Sequence, residues 1–133
     1  MTRNILPALF AATVFLAGTV LAQAPAANPK VLFKTTKGDI TIELYPDKAP
    51  VTVQNILDYV EAKFYDGLIF HRVIPNFMIQ CGGMDAEMRQ KSGNPAIKNE
   101  AGNGLKNTRG SVAMARTNVV DSATSQFFVN LKD

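Results

Sequence analysis

The sequence predicts a mainly β protein, an antiparallel sheet or barrel carrying one helix. Three observations predict it. Short apolar stretches that alternate at period two recur along the chain, and turn residues separate them. Only one stretch, the one that follows Pro50, repeats its apolar residues at helical spacing. No strand–helix–strand repeat occurs, which argues against a parallel sheet.

The first 22 residues stand apart from that domain. Arg3 gives a short positive start, Ile5 to Leu21 is uncharged and largely apolar, and Val20-Leu21-Ala22 offers small or modest-sized residues for cleavage. This is the pattern of a secretory signal peptide cut after Ala22; an uncleaved anchor is the alternative, since the run approaches the shortest span of a bilayer. Export to the periplasm, with no stable membrane association afterwards, is the expectation. Gln23 to Lys30, rich in Ala, Pro and Asn, reads as a flexible lead-in, and residues 31–133 as the domain.

Val31–Thr36 and Asp39–Tyr45 flank Lys37-Gly38 and predict a β-hairpin with Ile40, Ile42 and Leu44 on the buried face. Pro50 fits the first position of a helix, and Val53, Ile56, Leu57, Val60 and Phe64 form its apolar stripe, which would plug one end of a sheet or barrel. Tyr65-Asp66-Gly67 is a turn into the next strand. In Phe70 to Gly83 a strand, a Pro-Asn turn and a second strand put Arg72 and Ile74 on one face, His71 and Val73 on the other, and Met78 with Gln80. Residues 84–108 are polar and irregular, with Ser-Gly-Asn-Pro and Gly-Asn-Gly turns; Lys98-Asn99-Glu100 is read as a solvated or capping stretch. Two short strands, Ser111–Ala115 and Gln126–Asn130, close the pattern around a polar loop.

Composition excludes several functions. The chain carries a net charge of +3, reduced to +2 once Arg3 leaves with the signal, and its basic residues are scattered rather than striped, so no nucleic-acid footprint is present. One cysteine, Cys81, permits no internal disulfide, and one histidine, His71, cannot make a metal site with it alone. No serine or cysteine sits in a triad motif. His71 is read as structural and Cys81 as a small buried residue.

Arg72 is the residue that demands explanation. A guanidinium among apolar residues is rarely buried unpaired, and such a constellation suits a half-wet pocket for an apolar group with a polar atom at its centre. The stretch FHRVIPNFMIQCGG (Phe70 to Gly83) resembles the signature of the cyclophilin-type peptidyl-prolyl isomerases. Gly110 to Thr117 resembles the family's second pocket segment and Asp121 to Asn130 its third, in order, from about Val31 to the last residue. Cys81 and Asn76 stand where most members have glycine; Asn tolerates the left-handed turn.

The resemblance implies a closed antiparallel barrel with capping helices, of which this chain would supply the first helix and most strands. Family members continue for several tens of residues past the point matching Asp133, with closing strands and a further pocket segment. The chain is therefore expected to be a fragment or an early-ended reading frame, marginal by itself. The implied activity is cis–trans isomerisation of X–Pro bonds in exported polypeptides, assisting their folding, by a monomer with no cofactor or metal. A non-catalytic proline-binding or holdase module, or an inactive fragment, is the alternative.

Rotation about an X–Pro amide crosses a barrier of ~18–20 kcal/mol, because the C–N bond is partly double. Midway, the nitrogen gains a localised lone pair. Catalysis needs a donor aimed at that pair, an apolar slot for the ring and a hold on the carbonyl. On the matching positions, Arg72 is the donor, always protonated; Phe77, Met78 and Phe128 form the slot; and Gln80 holds a carbonyl or N–H. Ala115 and Arg116 pair the substrate backbone, and Gln126 lines the polar side. Arg72, Phe77 and Gln80 are the expected catalytic residues, and Met78, Ala115, Arg116, Gln126 and Phe128 the expected substrate-binding ones.

Overall fold

The computed structural model describes residues 27–133. The expected signal peptide, residues 1–22, and the lead-in up to residue 26 lie outside the described residues. No helix among those described is long and apolar enough to cross a membrane.

Strands β1 (Lys30–Thr35) and β2 (Gly38–Glu43) form the expected hairpin. Its tight turn brings Thr35 opposite Gly38, which adopts φ +128°, a conformation that side chains resist. The register pairs Val31 with Ile42 and Phe33 with Ile40, so these four share one face. With Leu44 they meet the helix α1 (Pro50–Glu61), whose Val53 and Ile56 are buried beside Val31 and Leu44. Pro50 opens α1 as its spacing predicts, but no side chain of its own N-terminus caps it. Glu100 caps it instead, from far along the chain, accepting the N–H of Val51 at 3.0 Å and of Thr52 at 2.8 Å. The capping reading of residues 98–100 holds.

The helix buries more than its aliphatic stripe. Tyr59 is only 1% exposed; its hydroxyl accepts the Asn94 N–H at 2.7 Å. Asn55 is buried and donates to the Thr124 carbonyl at 2.8 Å. Both count as polar in a hydrophobic pattern, so the stripe misses them; each is buried because its polar atom finds a backbone partner.

A second sheet has the order β3-β4-β6-β5, antiparallel throughout: β3 (Arg72–Ile74), β4 (Met78–Cys81), β6 (Phe127–Asn130) and β5 (Val112–Met114). Asn76 makes the β3–β4 turn at φ +59°, the left-handed geometry expected of it. The two sheets meet through aromatic rings. Phe33 of β1 lies 5.3 Å from Phe127 of β6, and Tyr65 packs edge-on against both, at 5.5 and 5.6 Å. Such pairs contribute roughly 0.5–1.5 kcal/mol each beyond their buried area. Tyr65, read from sequence as a turn residue, is thus central to the core; its hydroxyl donates to the Ser125 carbonyl at 3.0 Å.

The described residues form a mainly β fold with one α-helix. The described strands are hydrogen-bonded as a two-stranded and a four-stranded sheet, with β3 and β5 at the outer edges of the latter, rather than as one continuous ring.

Candidate active site

The site follows from register. In an antiparallel sheet, directly opposed residues project from the same face. Arg72 opposes Gln80, Gln80 opposes Phe128, and Phe128 opposes Ala113. One row therefore crosses all four strands carrying a guanidinium, a carboxamide, a phenyl ring and a methyl group. Two residues along each strand lie Met78 on β4 and, beside the other end of β6, Gln126, whose carbonyl accepts the Ala115 N–H at 2.8 Å. Six of the eight residues singled out from sequence — Arg72, Met78, Gln80, Ala115, Gln126 and Phe128 — share this face by period-two alternation. Phe77 reaches it from the β3–β4 turn, 54% exposed, its carbonyl tied to the Leu131 N–H at 2.9 Å. Arg116 follows Ala115 at the end of β5 and is exposed.

The opposite face is core. Phe127, adjacent in sequence to Phe128, is 2% exposed among Phe33 and Tyr65. Two consecutive phenylalanines thus have different jobs, one inside and one half-exposed at the row.

Polar groups of the row are linked. Gln80 Nε2 donates to Gln126 Oε1 at 2.8 Å, whereas the Arg72 Nη1 contact to Gln80 Oε1 is long, at 3.5 Å. The first fixes the Gln80 amide; the second leaves the guanidinium almost free to serve another acceptor. Two glycines make this geometry possible. A Cβ on Gly83 would fall 2.4 to 2.7 Å from three side-chain atoms of Gln126. A Cβ on Gly82, at φ +95°, would fall 2.5 Å from the Ser125 carbonyl oxygen. The Gly-Gly pair ending the motif is what lets Gln126 lie flat and reach Gln80. The sequence signal for it was there, but only the positions of Ser125 and Gln126 reveal its purpose. Ser125, also unforeseen, locks the same junction: it is buried, and its hydroxyl donates to the Gly82 carbonyl at 2.7 Å.

Met78, on the same face, is 2% exposed, so it can contribute to a slot only as the floor beneath the row. The row lines part of an open space of about 1440 Å³ that also reaches Phe33, Ile56 and Phe127 of the core and is bounded by the hairpin, the start of α1, the four-stranded sheet and residues 97–118. Cys81 is buried, and burial pushes its thiol above the ordinary range although the Gly82 N–H pulls the other way. A thiol so placed is a poor nucleophile. Among the described residues no group of three or more His, Cys, Asp or Glu could hold a metal ion. What the face presents is a guanidinium with free donors, an anchored amide and apolar surface.

Comparison with known proteins points the same way. The family model for cyclophilin type peptidyl-prolyl cis-trans isomerases matches residues 30–133. A peptidyl-prolyl cis-trans isomerase of Acinetobacter baylyi is 54% identical over 120 residues, which cover 90% of this chain and 64% of that protein. Peptidyl-prolyl cis-trans isomerase A of Dickeya dadantii is 50% identical over 135 residues, covering 100% of this chain and 70% of the relative. The crystal structure of a cyclophilin type isomerase of Cryptosporidium parvum, determined in the presence of the dipeptide Ala-Pro, superposes with a TM-score of 0.66 at 27% identity, over 78% of this chain and 68% of that one. The chain thus spans about two thirds of the length of the proteins it matches, and it belongs to the cyclophilin-type peptidyl-prolyl cis-trans isomerase family.

Proposed function

We propose that this protein catalyses cis–trans isomerisation of X–Pro bonds in polypeptides. The observation that carries the proposal is the row Arg72–Gln80–Phe128, a permanently charged donor, an anchored amide and an apolar ring side by side across three strands. In this reading the proline ring rests against Phe128 and Phe77 above the Met78 floor. Gln80, oriented by Gln126, holds the carbonyl side of the bond. Ala115 and Arg116 pair the peptide backbone at the end of β5. Arg72 donates an N–H to the lone pair that the imide nitrogen gains only when the bond is twisted, so its help falls on the transition state.

Magnitude limits that help. A hydrogen bond to a charged group contributes roughly 1.5–3 kcal/mol, and each decade of rate takes about 1.4 kcal/mol. Arg72 therefore accounts for about one to two decades, and the remainder comes from binding the amide twisted and stripped of water.

The closed antiparallel barrel with a capping helix belongs with this proposal; the Phe33–Tyr65–Phe127 contacts that already join the two sheets support it. So does the physiological setting: residues 1–22 as a signal peptide, a periplasmic monomer, and proline-containing exported polypeptides as substrates. Exchange NMR on an Ala-Pro peptide tests the activity. Catalysed cis–trans exchange by the full chain is expected. Peptide binding without accelerated exchange would replace the enzyme by a proline-binding module. Intact mass of protein from the periplasmic fraction, beginning near Gln23, is the expected sign of export; Met1 retained in membrane-bound protein would refute it.

A further inference from the structure

Backbone pairing beside the slot needs nothing of the Arg116 side chain, yet a second guanidinium stands there. Arg116 is exposed, and its one side-chain hydrogen bond among the described residues runs from Nη1 to the Thr117 carbonyl, at 2.8 Å. An arginine has five N–H donors in a planar fork, so most remain available. No carboxylate among the described residues lies within ion-pair distance of Arg116 or of Arg72. Both line the cleft of the candidate site, as do Lys98 and Lys106, which are likewise without ion-pair partners among the described residues.

The carboxylates of that cleft are already committed. Both Glu100 oxygens face the start of α1, accepting the Val51 and Thr52 N–H groups. Glu43 accepts from Asn28 at 2.9 Å and lies 3.9 Å from Lys30. Nearby, Asp121 and Asp133 accept the backbone N–H of Asn99 and Arg109. Free cationic donors therefore face the groove, while its acids already have partners: Glu100 the start of α1, Glu43 the side chains of Asn28 and Lys30.

From this, resting on the isomerase reading above, we propose that the site selects proline segments with acidic side chains two residues from the proline, and that Arg116 is the residue that reads them. A carboxylate close to the proline would take the free fork of Arg116 in a charge-assisted, two-pronged contact. Basic flanking residues would be disfavoured by the same charges. Because the contact forms equally in the ground and twisted states, Arg116 acts on affinity and not on the rotation itself.

Three peptides of sequence Ala-Xaa-Ala-Pro-Ala-Xaa-Ala, blocked at both ends, with Xaa Glu, Gln or Lys, test this against the full chain. NMR titration gives Kd and exchange spectroscopy gives turnover, each at low salt and at about 1 M, where the screening length shrinks to roughly 3 Å. The Glu peptide is expected to bind about tenfold tighter than Gln at low salt, and Lys more weakly than Gln. The differences should collapse at high salt. Arg116→Gln should cut the Glu advantage at least about threefold, and Arg116→Lys should restore part of it, since a point charge keeps attraction without the fork. Equal affinities of the three peptides at low salt, or a Glu advantage undiminished in R116Q, would overturn the proposal. Uncatalysed exchange in all three peptides, with the charge order in Kd intact, would overturn the isomerase reading and leave the charge selection standing.

Discussion

Replacing Gly83 by alanine probes the link between the motif's closing glycines and the amide row. The new Cβ would lie 2.4 Å from Gln126 Nε2, 2.5 Å from its Cδ and 2.7 Å from its Cγ. Ordinary non-bonded contact requires about 3.5 Å, so the Gln126 side chain must retreat by about 1 Å. That stretches its 2.8 Å bond with Gln80 past the limit of a useful hydrogen bond. The stability lost is about 0.5–1.5 kcal/mol for one hydrogen bond, offset by ~0.4–1 kcal/mol from a stiffer unfolded chain. Net stability should move by less than about 1 kcal/mol. Turnover should fall more: a Gln80 amide that swings freely forfeits its hold on the carbonyl, and a loss of ~1.4 kcal/mol is tenfold in rate. Thermal melts read by circular dichroism and exchange NMR on an Ala-Pro peptide measure the two effects separately. Gly82→Ala is the contrast. Its Cβ would strike the backbone oxygen of Ser125 at 2.5 Å from a φ of +95°, and backbone strain alone costs of order 1–3 kcal/mol. The double variant Gly83→Ala with Gln126→Ala should lose less than the sum of the singles, since one atom set mediates both. Strict additivity, or G83A turning over at the parent rate, would refute the linkage.

Two further outcomes follow from the fold. Phe127→Ala should cost ~3–5 kcal/mol of stability, because the ring is the meeting point of the two sheets; Phe128→Ala should leave melting nearly unchanged and weaken peptide binding, as titration would show. Glu100 is drawn two ways: burial raises its carboxyl pKa, but the Thr52 and Val51 N–H groups outweigh this, and the net is lowered. A carboxylate lowered on folding stabilises above its unfolded pKa and ceases to do so as pH falls through the folded value. Glu100→Gln should therefore lower stability by about 0.5 kcal/mol near neutrality, a figure discounted for solvent screening at a partly exposed helix end. Urea titrations at neutral pH and below the carboxylate range should show that gap close; a gap independent of pH would contradict the cap.

Much of this was legible in the sequence, for reasons that differ by element. Period two at Ile40, Ile42 and Leu44 gave the hairpin, because a strand's faces are set by alternation alone. Arg72 could be assigned one face with Ile74, and Met78 one face with Gln80, from parity within each strand, and Asn76 a left-handed turn from its tolerance of positive φ. Pairing across strands was not legible. That Gln80 sits between Arg72 and Phe128 depends on register between segments nearly fifty residues apart. The core was under-read wherever it uses aromatic residues with a polar handle. Tyr59 and Tyr65 carry hydroxyls that a hydropathy pattern counts against burial, yet each hydroxyl meets a backbone partner and each ring is packed among others. Met78 shows the converse limit: parity sets a residue's face but not how far it is covered. The cap on α1 lies 49 positions from the N–H it satisfies and leaves no local signal at Ala49.

Arg72→Lys is the most direct test of the proposed chemistry. Lysine keeps the charge but loses the planar fork that, in the proposed chemistry, donates to the imide nitrogen. Exchange and line-shape NMR on one Ala-Pro peptide give kcat/KM and Kd from the same samples. The account predicts that kcat/KM falls by about one to three decades, at ~1.4 kcal/mol per decade, while Kd for the ground-state peptide changes little, because the lone pair Arg72 meets exists only in the twisted amide. Turnover by R72K at the parent rate, or a loss carried wholly by Kd, would contradict it.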